Sequence, residues 1–216
     1  MAEFFNWLYP FDSAILTFTS ELAKWGGAFF TPLSKIFTFL GEGGILYFIT
    51  AFVLALFKNT RKIAVCIFGS VCLGALITNI ILKDAVERLR PFEASELFNS
   101  FWVAVGSPNE SGYSFPSGHA TSVMAFSTAI FLTCNKKWSF CGFFAVIIMA
   151  FSRVYLVAHY PSDVIAGIIV GGISSLIAYG ITLLIFKFLE KYNTVKVCNF
   201  MLEFDVKSLF SKKTEE

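Results

Sequence analysis

Residues Ser152–Asp163 read SRVYLVAHYPSD, the end of a long apolar run that carries an arginine, a histidine and an aspartate. The run otherwise suits a membrane helix, where an arginine such as Arg153 costs about 3 kcal/mol or more without a partner. The stretch therefore predicts a helical chain that crosses a bilayer and an anion that meets Arg153 there.

Composition agrees. Of the 216 residues, 56% are hydrophobic and 15% charged, against roughly 25% charged in soluble domains, and the mean hydropathy is +0.69. This indicates an integral membrane protein with one helical bundle and no separate soluble domain. A net charge of +2 without a dense Lys/Arg stripe argues against nucleic acid. Cys66, Cys72, Cys134, Cys141 and Cys198 have no zinc-type spacing and read as small apolar fillers. The start, MAEFFNWLYPFDS, lacks a positive n-region before an apolar core, so no signal peptide is expected.

Outward from the opening stretch, six apolar spans are expected. Residues 1–24 mix Phe, Trp and Leu with Glu3, Asp12 and Glu21 and read as an interfacial lead-in. Residues 25–40 form a weak first span with Pro32 and Lys35, and GEGG at 41–44 is a turn. Spans follow at 45–57, 63–82, 120–134, 138–158 and 164–188, the last with Gly167 and Gly171 at a spacing that lets helices approach closely. The one long loop, 83–118, joins spans three and four. The expected architecture is an all-α, six-span transmembrane bundle over residues 1–188, followed by a cytoplasmic or interfacial tail over 189–216.

Basic residues orient it. Lys58, Arg61 and Lys62, then Lys136 and Lys137, then Lys191, Lys196, Lys207, Lys212 and Lys213 fall on one side of a six-span chain. That side, with both termini, should be cytoplasmic. The 83–118 loop and the 158–163 turn then face outward from the plasma membrane.

Three clusters meet on that outer face. In the first, Lys83 and Arg90 share a helix face if the third helix continues two more turns, while Arg88 fits snorkelling at the membrane edge. The second, Phe115-Pro116-Ser117-Gly118-His119, opens the fourth helix. Free backbone N–H groups at Ser117 and Gly118 would cradle an anion. In the third, Arg153 and His159 lie six apart, on roughly one side of a helix. Asp163 lies four beyond His159, near enough to hydrogen-bond the imidazole and fix its tautomer, or to cap the sixth helix. His119 and His159 are the only histidines in the chain. A histidine held by a carboxylate is the pairing used in covalent catalysis.

Read together, K-x-x-x-x-x-x-R-P, P-S-G-H and S-R-x-x-x-x-x-H-x-x-x-D over 83–163 resemble the three-part signature of the phosphatidic acid phosphatase type 2 superfamily, which includes the vanadium haloperoxidases. The resemblance implies a membrane lipid phosphatase. His159 would attack phosphorus to give a phosphohistidine, with Asp163 orienting it. His119 would protonate the leaving oxygen and then activate water. Lys83, Arg90, Arg153, Ser117 and the Gly118 amide would hold the phosphoryl oxygens. Phosphoryl transfer needs mainly positioning and charge neutralisation, which the three cations supply, so neither metal nor other cofactor is expected.

The expected substrate is a lipid phosphate or diphosphate in the bilayer, undecaprenyl diphosphate first, by analogy with compact six-span relatives that recycle a cell-wall carrier lipid. Phosphatidate or phosphatidylglycerophosphate is the alternative. An anion or lipid transporter would not need the His159/Asp163 pair, and no obligate protein partner is evident.

Overall fold

A computed structural model describes residues 2–208; Lys212, Lys213 and the end of the expected 189–216 tail lie outside the described residues. Every regular element among them is helical. By length and composition four stretches can cross a membrane: Glu3–Ala55, Lys58–Ala94, Lys136–Tyr155 and Pro161–Lys191. The protein is an all-helical membrane protein.

The expected lead-in and weak first span are one helix, α1, Ala2–Leu40, with Pro10 and Pro32 inside it. The correction has a physical cause: a single stripe at helical spacing (Asp12, Leu16, Thr19, Ser20, Ser34) is buried throughout. Phe5 meets Phe115, Tyr9 meets Phe98, Asp12 binds Ser162, and Thr31 Oγ1 lies 2.8 Å from Tyr155 Oη. These partners lie in the 83–118 segment, at the end of Gly142–Tyr155 and at the start of Pro161–Lys191. The opposite face of α1 exposes Trp7, Phe18, Trp25, Phe29 and Phe39.

After the Gly41–Gly44 turn come α2 (Ile45–Ala55) and α3 (Arg61–Ala75). The latter runs on as a π-helical segment, Leu76–Leu82, and a short α4, Lys83–Val86. Glu87 then turns left-handed at φ 52°. The helix thus stops well before Arg90, and the two further turns expected to align Lys83 with Arg90 do not form. Two short helices, α5 (Pro91–Ala94) and α6 (Glu96–Ala104), occupy the loop.

The bundle is built round α7, Gly118–Thr133, whose buried positions are mostly small: Ala120, Thr121, Val123, Ala125, Ser127, Thr128 and Ala129. A short α8 (Lys136–Ser139) leads into α9, Gly142–Tyr155, and then α10, Pro161–Lys191. Gly167 and Gly171 press α10 onto α7. A Cβ at Gly171 would stand 2.4 Å from the Thr121 carbonyl oxygen, and one at Gly167 would stand 2.5 Å from that of Ser117. Both obstacles are backbone and cannot swing aside.

At the far end, α11 (Lys196–Glu203) docks on the 58–61 turn. There Arg61 donates to the carbonyls of Met201, Leu202 and Phe204, and Lys58 pairs with Glu203.

Candidate active site

The Gly41–Gly44 turn, the end of α3–α4, the start of α7 and the link between α9 and α10 enclose a cavity of about 340 Å³. Lys83, Arg90, Gly118, His119 and His159 border it; Ser117, Arg153 and Asp163 stand behind its wall. Five of the eight expected residues therefore meet at one space, although they lie as far apart as 83 and 159 in sequence.

His159 reaches the cavity by a turn, not along a helix face. Helix α9 ends at Tyr155, and Val157 adopts φ 58°, a conformation that β-branched residues rarely take. The chain then folds back so that the amides of Ala158 and His159 both donate to the Arg153 carbonyl, at 3.2 and 3.3 Å. This, rather than helical periodicity, brings Arg153 and His159 together.

The imidazole is oriented by a group that sequence reading missed. His159 Nδ1 lies 2.7 Å from the Ser114 backbone carbonyl and 3.8 Å from Asp163 Oδ2. A carbonyl only accepts, so Nδ1 carries the proton and Nε2 keeps its lone pair. Asp163 thus acts at one remove. Its Oδ2 accepts from Ser114 Oγ at 2.5 Å and from the Tyr160 amide at 2.9 Å, closing the start of α10 as a third-position acid rather than as the cap itself. Burial, then the Arg153 and Arg90 guanidiniums, hold the His159 imidazole well below its usual range. At neutral pH it is uncharged.

His119, second residue of α7, faces Glu42 Oε2 at 3.5 Å, but its buried Nε2 makes no hydrogen bond among the described residues. Gly41 packs against the ring edge; a Cβ there would lie 3.2 Å from His119 Cδ2. Ser117 caps α7, its Oγ accepting from the Ala120 amide at 3.5 Å, and its own amide donates to the Asp163 carbonyl. It holds the helix start from behind, while Gly118 borders the cavity.

The cations divide the work. Arg90 is 2% exposed and donates to the carbonyls of Gly112, Ala158 and Ser111 at 2.7–2.9 Å, which ties the loop to the His159 turn. Arg153 is fully buried and bound to Glu110 and Thr38. Arg88, expected to snorkel, instead turns inward. It bridges Asp163 and Asp12, donates to Ser162 Oγ at 2.8 Å, and stacks between Phe5 and Tyr160 at 4.3 and 3.8 Å. Asp12 completes the network by accepting from the Ser162 amide and hydroxyl. The signal for Asp12 was present: an acid alone in an apolar helical stretch needs a partner, as Arg153 does. For Ser114 there was none, because its backbone carbonyl is common to every residue type.

An apolar helical bundle with a cavity at one end, bordered by two histidines and by both Lys83 and Arg90, defines the class: a helical membrane protein with a charged pocket at its helix ends. The chain belongs to the PAP2 superfamily, whose sequence profile matches residues 63–187. It is 33% identical over 142 residues to an undecaprenyl-diphosphatase of Sulfolobus acidocaldarius, covering 64% of this chain and 66% of that protein. It is 34% identical over 145 residues to a lipid A 1-phosphatase of Rhizobium etli, covering 67% of this chain and 61% of that one. The chain thus spans slightly under two thirds of the length of these relatives. The crystal structure of Aquifex aeolicus LpxE shares the fold, with a TM-score of 0.52 and 20% identity over 68% of this chain and 84% of that one.

Proposed function

We propose that the protein is an integral membrane lipid phosphatase working through a phosphohistidine. The observation that carries this is the His159 imidazole, with Nδ1 bound to the Ser114 carbonyl and its ring at a cavity that Lys83 and Arg90 also border. Nε2 attacks phosphorus, and the bond from phosphorus to the leaving oxygen breaks. His119 donates a proton to that oxygen. His119 then takes a proton from water as the water oxygen attacks the phosphoryl-imidazole, which frees orthophosphate and restores Nε2. Lys83, Arg90, Arg153 and the Gly118 amide stabilise the equatorial oxygens, with Ser117 holding the helix start and Asp163 holding Ser114. No metal enters these steps.

Undecaprenyl diphosphate is the substrate we favour, since the Sulfolobus relative bears that activity in its name. Lipid monophosphates, of the lipid A, phosphatidate or phosphatidylglycerophosphate kind, are the second reading. The test is phosphate release by purified protein in detergent with EDTA, with a lipid diphosphate and a lipid monophosphate side by side. We expect release to persist under EDTA and to be faster from the diphosphate; loss of release under EDTA would sink the metal-free mechanism.

We place the cavity on the extracytoplasmic side, opposite the basic 58–62 and 135–137 turns, with 1–188 as the membrane domain and 189–216 as a cytoplasmic tail. For α1 we propose a course along the cavity end instead of a sixth crossing. Its packed side chains meet that end from Phe5 to Thr31, and its aromatic outer face suits the interface. The N-terminus then lies outside. A single cysteine replacing Trp7, in a background without native cysteines, should be labelled from outside intact cells; labelling only after lysis would restore the six-span course.

A further inference from the structure

The anion that Arg153 requires is supplied by the protein itself. Glu110, on the loop between α6 and α7, places Oε1 2.5 Å from Arg153 Nη2 and Oε2 3.2 Å from Arg90 Nη1. Its side chain is 11% exposed and borders the cavity, whereas Arg153 is 0% exposed and does not. What separates Arg153 from the cavity is therefore this carboxylate. Arg153 Nε, also buried, has no hydrogen-bond partner among the described residues.

Two oxygens, each on its own buried guanidinium, reproduce the way two phosphoryl oxygens are held between two arginines. The guanidiniums are fixed: Arg90 by three loop carbonyls, Arg153 by Thr38. The backbone beside Glu110 is pinned as well. Trp102 donates to the Pro108 carbonyl, and Arg90 donates to those of Ser111 and Gly112. The Glu110 side chain itself is held by its ion pairs to these two guanidiniums. Burial raises its carboxyl pKa, but the Arg153 and Arg90 charges outweigh burial and hold it below the usual range. It stays anionic at any working pH, and a second anion at the same guanidiniums meets like-charge repulsion.

On the reading that this cavity holds the reacting phosphoryl group, we propose that Glu110 is a specificity-determining residue. In the unliganded protein it occupies the phosphoryl seat, and only an anion that replaces both of its contacts displaces it. A terminal phosphate or diphosphate, with two or more charged oxygens on one phosphorus, does so. A phosphodiester, singly charged and esterified on both sides, does not. The surrounding bilayer is composed largely of phosphodiester lipids, so such a competitor would keep them out of a site open to the membrane. This is discrimination by repulsion rather than by added attraction.

The test uses the full-length protein in detergent and measures orthophosphate binding by calorimetry, with and without phosphatidylglycerol in the micelles. Wild type should bind orthophosphate and ignore phosphatidylglycerol. Glu110→Gln should bind orthophosphate about tenfold more tightly or better, and phosphatidylglycerol should now compete. Glu110→Asp, which keeps the charge, should resemble wild type in rejecting phosphatidylglycerol. If Glu110→Gln is less stable alone, orthophosphate should raise its melting temperature more than it raises that of wild type. Unchanged or weaker orthophosphate binding in Glu110→Gln would make Glu110 a brace for the arginines and overturn the proposal. Competition by phosphatidylglycerol in both proteins would overturn it too. Failure of wild type and Glu110→Gln alike to bind orthophosphate would instead overturn the reading of the cavity, and the proposal with it.

Discussion

His159→Ala should reduce phosphate release by roughly a thousandfold or more, to the solvent background, without unfolding the protein. The side chain supplies the nucleophile and has no substitute. The only other imidazole, His119, is held at the start of α7 against Gly41 and Glu42. Folding should tolerate the change, because among the described residues the His159 side chain hydrogen-bonds only to Ser114, through its backbone carbonyl at 2.7 Å and its hydroxyl at 3.5 Å. The Asp163 carboxylate keeps Ser114, Tyr160 and Arg88. The same site fixes the sign of the acid limb. The neutral ring is the nucleophile, and it is lost as pH falls through its pKa. Because burial and the two arginines lower that pKa, the limb should lie well below the ordinary imidazole value of about 6.5. Steady-state rates on a lipid phosphate, with melting curves of both proteins, would check this; undiminished release by the variant would remove His159 from the reaction.

Arg88→Met should be the most damaging single change to stability. Arg88 neutralises two carboxylates, Asp12 and Asp163, that are both 0% exposed, and its guanidinium lies between two aromatic rings. Removing one member of a buried ion pair costs about 3–5 kcal/mol, since the other charge stays buried. In a chain of this size that lowers the melting temperature on the order of 10 °C. Asp12→Asn added to Arg88→Met takes away one of the stranded charges. It should recover part of the melting temperature but not the rate, because Asp163 remains unneutralised behind Ser114. A variant that melts and turns over like wild type would return Arg88 to the membrane edge.

The residues that touch the cavity were legible because Lys83, Arg90, Gly118, His119 and His159 fall in the three short motifs, although the helical spacing expected to align Lys83 with Arg90 is not what unites them. Their supports were less so, for physical reasons. Asp163 lies four residues from His159, which suggests a direct hydrogen bond, yet the turn through Val157 swings the ring to the Ser114 carbonyl instead. The need of Arg153 for an anion was evident, but the 83–118 loop offers Asp84, Glu87, Glu93, Glu96 and Glu110, and only tertiary structure selects the last. The helical class followed from composition. The course of α1 did not, because hydropathy cannot tell a helix that crosses from one that lies along a face; the course proposed above rests instead on the partners of its packed side chains, Phe115 and Tyr155 among them.

Central to the account is a covalent bond between His159 Nε2 and phosphorus, and the most direct measurement is to trap it. Protein mixed with a lipid diphosphate labelled in its terminal phosphate would be quenched in alkali, where phosphohistidine survives, then digested and mapped. His119→Ala, slowed in the water step, would be quenched beside it. The account predicts label on the peptide containing His159, lost on acid treatment and more abundant in His119→Ala. Phosphate release with no label on that peptide, or a label that withstands acid, would contradict it.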